Sequence, residues 1–152
     1  MNHLEIKTQL YEACKSWITK RRQKVETVIA DIEESLVDET KSSAGDKHET
    51  GRAMLQIDRE QAGEQLKEID KIAAILDKVD IQVKSDYVRL GSVVHTTNAR
   101  YFIAVSAGEI KIDGRSFYAM ALSSPLGQLM LGKKKGDVVR FRESEIQITS
   151  LY

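Results

Sequence analysis

Apolar residues in the first part of the chain recur at alternating intervals of three and four, at Tyr11, Cys14, Ile18, Val25, Val28, Ile32 and Leu36. That spacing keeps one stripe of a helix turned toward a partner helix. From Leu4 to about Glu39 there is neither Gly nor Pro, and only Arg21 interrupts the stripe, so the pattern predicts one long helix. From Glu49 to about Asp80 a second stripe runs through Leu55, Ala62, Ile69 and Leu76, with Leu66 and Ala73 between them, and predicts another. Between the two lies Thr40-Lys41-Ser42-Ser43-Ala44-Gly45-Asp46, a small polar stretch of the size that joins antiparallel helices. A hairpin of two helices of roughly 30 to 35 residues would extend about 45 to 50 Å at about 1.5 Å per residue. Stripes this narrow suit pairing of the helices with each other, and packing into a bundle or oligomer is the competing arrangement.

After Asp80 the period changes. Gln82-Val83-Lys84, Val88-Arg89-Leu90 and Ser92-Val93-Val94-His95 are short β-prone pieces punctuated by Asp86 and Gly91, and predict that strands begin here. Tyr101-Phe102-Ile103-Ala104-Val105 reads as a buried strand between turns at Asn98 and Gly108, and Phe117 to Leu122 continues the sheet. Ser124-Pro125 opens a short helix through Leu131, with Ser as N-cap, Pro in the first turn and Gly132 as terminator. Lys133 to Asp137 turns the chain into Val138-Val139-Arg140-Phe141, and Glu145 to Ile148 forms a last alternating strand. The fold class is α+β, with a helical hairpin over residues 1–80 and a small sheet domain with one packed helix over 81–152.

Composition narrows the function classes. Apolar residues make up 41% and charged residues 30%, as in globular proteins that bury a core. No run approaches the roughly 18 apolar residues of a membrane span, the first residues lack a signal-peptide pattern, and the cytoplasm is the expected compartment. One cysteine, Cys14, rules out an internal disulfide framework, and with His3, His48 and His95 it makes no cluster at zinc-site spacing. The formal net charge is zero, yet residues 1–80 carry 13 Lys+Arg against 17 Asp+Glu, leaving 10 against 6 of the 23 of each sign for residues 81–152. Such asymmetry suits either an oriented, charged partner or two solvated surfaces of opposite bias.

A two-helix hairpin followed by a sheet domain containing Ser124-Pro125-Leu126-Gly127-Gln128-Leu129-Met130-Leu131-Gly132-Lys133-Lys134-Lys135-Gly136-Asp137-Val138-Val139 resembles the bacterial Gre transcript-cleavage factors over nearly the whole chain. The family's tip pattern, Gly-Asp-x-x-Glu-Asn-Ala-x-Tyr, aligns with Gly45-Asp46-Lys47-His48-Glu49-Thr50-Gly51-Arg52-Ala53. Gly, Asp and Glu are kept, whereas Thr50, Gly51 and Ala53 depart from the pattern. The resemblance implies that the second domain is FKBP-like and docks on RNA polymerase while the hairpin enters the polymerase's secondary channel. It further implies that Asp46 and Glu49 help hold a magnesium ion of the polymerase's active site, shared only in the complex, with no cofactor bound to the chain alone.

Magnesium prefers oxygen ligands and, in a two-metal site, activates water and stabilises the leaving oxygen, so carboxylates at a tip suit hydrolysis of a backtracked transcript. Asp46 and Glu49 also have capping-box spacing, which accounts for both without catalysis. Asp38 and Glu39, unfavourable at a helix C-terminus, are secondary candidates that extend the acidic tip over about residues 38–50. His48 lies between the carboxylates and reads as solvated; Cys14 reads as core, Trp17 as packing at the hairpin's base. Lys20, Arg21, Arg22 and Lys24, like Lys133 to Lys135, either face an acidic or phosphate surface or are simply solvated.

The expected function is an elongation factor, not itself an enzyme, that stimulates cleavage by the polymerase and touches transcript RNA and DNA only within the elongation complex. No membrane contact is expected, and the chain is expected to be a monomer. The alternatives are a channel-binding regulator without cleavage, a prolyl isomerase and a coiled-coil adaptor.

Overall fold

The computed structural model describes the backbone of residues 1–41 and 46–152, and the side chains of these residues apart from Lys41, Asp46, Lys47 and His48. The architecture is α+β: two long helices, then a six-stranded sheet with a small helix inserted. Helix α1 spans His3–Lys41 and α2 Asp46–Asp77. A capping box starts α1, in which the Glu5 backbone N–H donates to Asn2 Oδ1 at 2.8 Å and the Asn2 backbone N–H donates to the Glu5 carboxylate at 3.3 Å. No described helix is long and apolar enough to cross a membrane.

By contacts the chain divides into one unit of Met1–Trp17 with Ala74–Tyr152 and another of Ile18–Ala73. Within the second unit the helices run antiparallel. Arg22 pairs with Asp70 at 2.6 Å, Arg59 with Glu33 at 3.3 Å, and Arg52 with the Thr40 hydroxyl, each pair symmetric in sequence about residue 46. The two exposed ion pairs add little stability, about 0 to 1 kcal/mol each, and all three contacts mainly record the register. Buried Ala62 and Ile69 lie on the predicted stripe of α2. On α1 the seam differs from the expected one: Ile29 is buried while Val28 is 48% exposed, and Arg22 reaches Asp70 of α2. Both Val28 and Ile29 are apolar, and an α-helix drifts by about 20° per heptad, so pairing with α2 selects the second.

In the first unit the strands are β1 Val93–Thr96, β2 Arg100–Ala104, β3 Gly108–Ile112, β4 Arg115–Ala121, β5 Val138–Phe141 and β6 Ser144–Leu151. They lie in the order β3-β4-β2-β1-β6-β5, with β2 and β4 parallel and all other neighbours antiparallel. The expected strands at 82–84 and 88–90 do not form. Asp80 Oδ1 accepts from the Gln82 N–H and Ser85 Oγ from the Tyr87 N–H, and these local bonds divert backbone groups from a ladder. Val88 is instead fastened to the end of the small helix, donating to Lys133 O and accepting from the Gly132 N–H, both at 2.8 Å.

That helix, α3 (Pro125–Met130), begins as expected: Ser124 Oγ accepts from the Gly127 N–H at 3.1 Å, and Pro125 sits in its first turn. Its Met130 enters a core formed by Val88, Val94, Ile103, Val139, Ile146 and Ile148. The alternate residues Val93, Phe102, Ala104, Phe117 and Ala119 are buried as well, so the central strands are covered on both faces.

Two structural predictions arise here. Arg142 and Glu143 form the two-residue connection between β5 and β6 with φ of 50° and 67°, in the left-handed region that disfavours L side chains. Replacing them with Asn-Gly, the pair preferred in such hairpins, should raise stability by about 1 kcal/mol, read by urea denaturation. Cys14 is fully buried, and burial pushes its thiol up to about 12 from the ordinary 9.0. A raised native pKa means that the unfolded chain loses its proton first, so the thiol opposes folding progressively as pH rises from about 9 toward 12. Native Cys14 should therefore resist a disulfide reagent at neutral pH and react at once in denaturant.

Candidate functional site: the hairpin tip

The last turn of α1 and the first turns of α2 converge at the tip because the stripes on both helices remain in antiparallel register up to the turn. Residues 42–45 lie outside the described residues, as do the side chains of Asp46 and His48. The backbone places Asp46 at the first position of α2 and Glu49 in its first turn, with the Glu49 side chain exposed. Asp38 is exposed and Glu39 half-buried at the end of α1. The acidic residues named from the sequence thus fall on the two helix ends that meet at the turn.

Their electrostatic settings differ. The N-terminus of α2 carries the positive end of its dipole and favours negative charge, whereas the end of α1 disfavours it. Arg52 offsets the second effect. Its guanidinium donates to Leu36 O at 3.4 Å and to Thr40 Oγ1, while the Thr40 hydroxyl donates to Leu36 O at 2.8 Å. A cation from α2 is thereby placed beside the last turns of α1, where the helix dipole favours positive charge.

Gly51 has a steric role beside it. A Cβ there would stand 3.3 Å from Glu39 Oε1 and 3.5 Å from Glu39 Cδ, so the missing side chain leaves room for the Glu39 carboxylate against α2. Arg52 and Gly51 were not singled out as organisers of the tip from sequence. The signal available was their position in the first turns of a helix facing Glu39 and Thr40 across a short turn.

Among the described residues no group of three or more His, Cys, Asp or Glu side chains is arranged to hold a metal ion. Among the described side chains the tip exposes the carboxylates of Glu49 and Asp38. The basic residues of α1 divide. Arg22 is committed to Asp70, whereas Lys20 and Lys24 are exposed. Lys133 to Lys135 are exposed too, at a turn in which the Lys134 N–H donates to Asp137 Oδ2 at 2.8 Å.

No protein-family model matches the chain, and no curated protein matches it significantly. Among solved structures, the transcription factor Gfh1 aligns at 16% identity over 93% of this chain and 92% of its own, with a TM-score of 0.34. A structure of GreA factor homolog 1 (Gfh1) protein of Thermus thermophilus aligns at 18% identity over 93% and 94%, also with a TM-score of 0.34.

Proposed function

We propose that the chain is a transcription factor of the Gre type, acting in the cytoplasm on RNA polymerase and stimulating cleavage of backtracked transcripts. The observation that carries this reading is the placement of Asp46 and Glu49 in the first turn of α2, facing the acidic end of α1 across the turn of an antiparallel hairpin. Such a tip brings several acidic residues to the end of the hairpin. In the complex, Asp46 and Glu49 would donate oxygen ligands to a magnesium ion that the polymerase also holds. Such an ion supplies an activated water and stabilises the leaving oxygen.

This chain's residues have distinct parts in that scheme. Asp46 and Glu49 bind, the dipole of α2 supports their charge, and Arg52 fixes the end of α1 so that both helix ends present one surface. The sheet unit would dock on the polymerase, the chain itself would not be an enzyme, and it would work as a monomer with no cofactor of its own.

A second reading, a channel-binding regulator without cleavage, is favoured by Thr50, Gly51 and Ala53, which depart from the family's tip pattern. Gly51 in particular admits the Glu39 carboxylate to the face of α2. Stalled elongation complexes of the cognate polymerase in magnesium separate the two. Faster transcript cleavage in the presence of the chain supports the first reading, and binding with no change in cleavage establishes the second.

A further inference from the structure

A cavity of about 870 Å³ opens within the first unit, walled by the start of α1, the segment after α2 and the end of β6. Lys7 forms part of its wall and is only 5% exposed. Its Nζ donates to Val83 O at 3.2 Å and stands 5.9 Å from the centroid of the Tyr152 ring. An ammonium has three N–H donors, of which the carbonyl takes one. Lys7 forms no salt bridge among the described residues.

Buried ammonium groups are costly to leave without a counter-charge. Burial lowers the Lys7 pKa below the ordinary lysine range, the Arg89 guanidinium lowers it further, and Asp80 opposes them. Arg89 and Lys84 also line the cavity, and Asp86 is the only carboxylate side chain among the lining residues. Leu4, Val83 and Leu151 give the same space an apolar floor. The tie to Val83 accounts for one donor of Lys7; it does not account for a second cation beside a buried first.

We propose that this cavity binds a small amphipathic monocarboxylate, its carboxylate held by Lys7 and Arg89 and its apolar chain against Leu4, Val83 and Leu151. Charge and apolar lining make joint demands on the ligand. An uncharged alcohol of equal length lacks the group that relieves the repulsion between the cations, and acetate lacks the chain that displaces water from the apolar wall. This site is independent of the hairpin tip and of the transcriptional reading.

The test is titration of the full chain with octanoate, octanol and acetate, following backbone amide resonances of Val83 and Tyr152 by NMR and stoichiometry by calorimetry. Saturable one-to-one binding of octanoate is expected, at least about tenfold tighter than that of octanol or acetate. Arg89→Gln, at an exposed position that folding tolerates, should weaken octanoate about tenfold, and Lys7→Met should weaken it at least as much. The proposal is overturned by octanol binding as tightly as octanoate, by no saturable binding at millimolar octanoate, or by Arg89→Gln binding octanoate as the parent chain does.

Discussion

Alanine at Asp46 or at Glu49 is expected to lower transcript cleavage stimulated by this chain by about 10²-fold, the scale on which loss of one group stabilising a developing charge slows a reaction. Alanine alone does not separate metal binding from helix capping, since both residues stand in the first turn of α2. Asp46→Asn and Glu49→Gln do. Asn caps about as well as Asp and Gln serves in a capping box as Glu does, so both variants keep the helix start while losing an anionic oxygen ligand. The metal-assisting reading requires Asn and Gln to be nearly as damaging as Ala, with polymerase binding unchanged. Full stimulation by the Asn and Gln variants would reduce the two carboxylates to caps. Helix content and unfolding midpoint, measured alongside, show whether any loss comes from a frayed α2.

Gly127→Ala should destabilise the sheet unit by about 3 kcal/mol, because no space exists for a methyl group at that position. A Cβ there would lie 2.5 Å from Ala121 O and 2.7 Å from Leu122 O, both backbone atoms. Neither carbonyl is free to retreat. The Ser124 N–H donates to Ala121 O at 3.0 Å, and Gln128 Nε2 donates to Leu122 O at 2.8 Å. Moving α3 away instead would withdraw Met130 from the core and weaken the Ser124 cap. Gly63→Ala is the matched control. It lies inside α2, where a Cβ meets only the flexible end of Arg59 at 3.4 Å, and higher helix propensity should raise stability by up to about 1 kcal/mol. Thermal unfolding of the two variants should therefore move in opposite directions. A midpoint for Gly127→Ala equal to that of the parent would show that β4 and α3 can separate at little cost, contrary to their packing here.

The two long helices could be read in the sequence because their determinants are local. Helix α1 follows from its period and from the absence of Gly and Pro between Leu4 and Glu39, and α2 follows from its period despite Gly51 and Gly63. The same holds for α3, where Ser124, Pro125 and Gly132 act within one or two turns of the chain. The contribution of Arg52 was not legible, because donation to Leu36 O depends on which residues of α1 and α2 face each other.

The sheet separates the two kinds of information further. Strand β3 was not anticipated, although Asp113-Gly114 between Ile112 and Arg115, both at positive φ, is a strong local hairpin signal. That turn determines that β3 pairs with β4. It does not determine that β4 then lies parallel to β2, with Phe102 beside Ala119 and Ile103 beside Met120. A period of two states which residues share a face and is silent about which strand lies alongside.

By itself, then, the sequence of this protein determined two long helices with matching stripes, a capped short helix and a set of strands, since backbone sterics, capping and periodicity act over a few residues. Only the tertiary structure decided the choice of Ile29 over Val28, the strand order, and the burial of Lys7 beside a cavity shared with Arg89. Each of these depends on surfaces distant in the chain coming together, and the free energy of that meeting is written in no single segment.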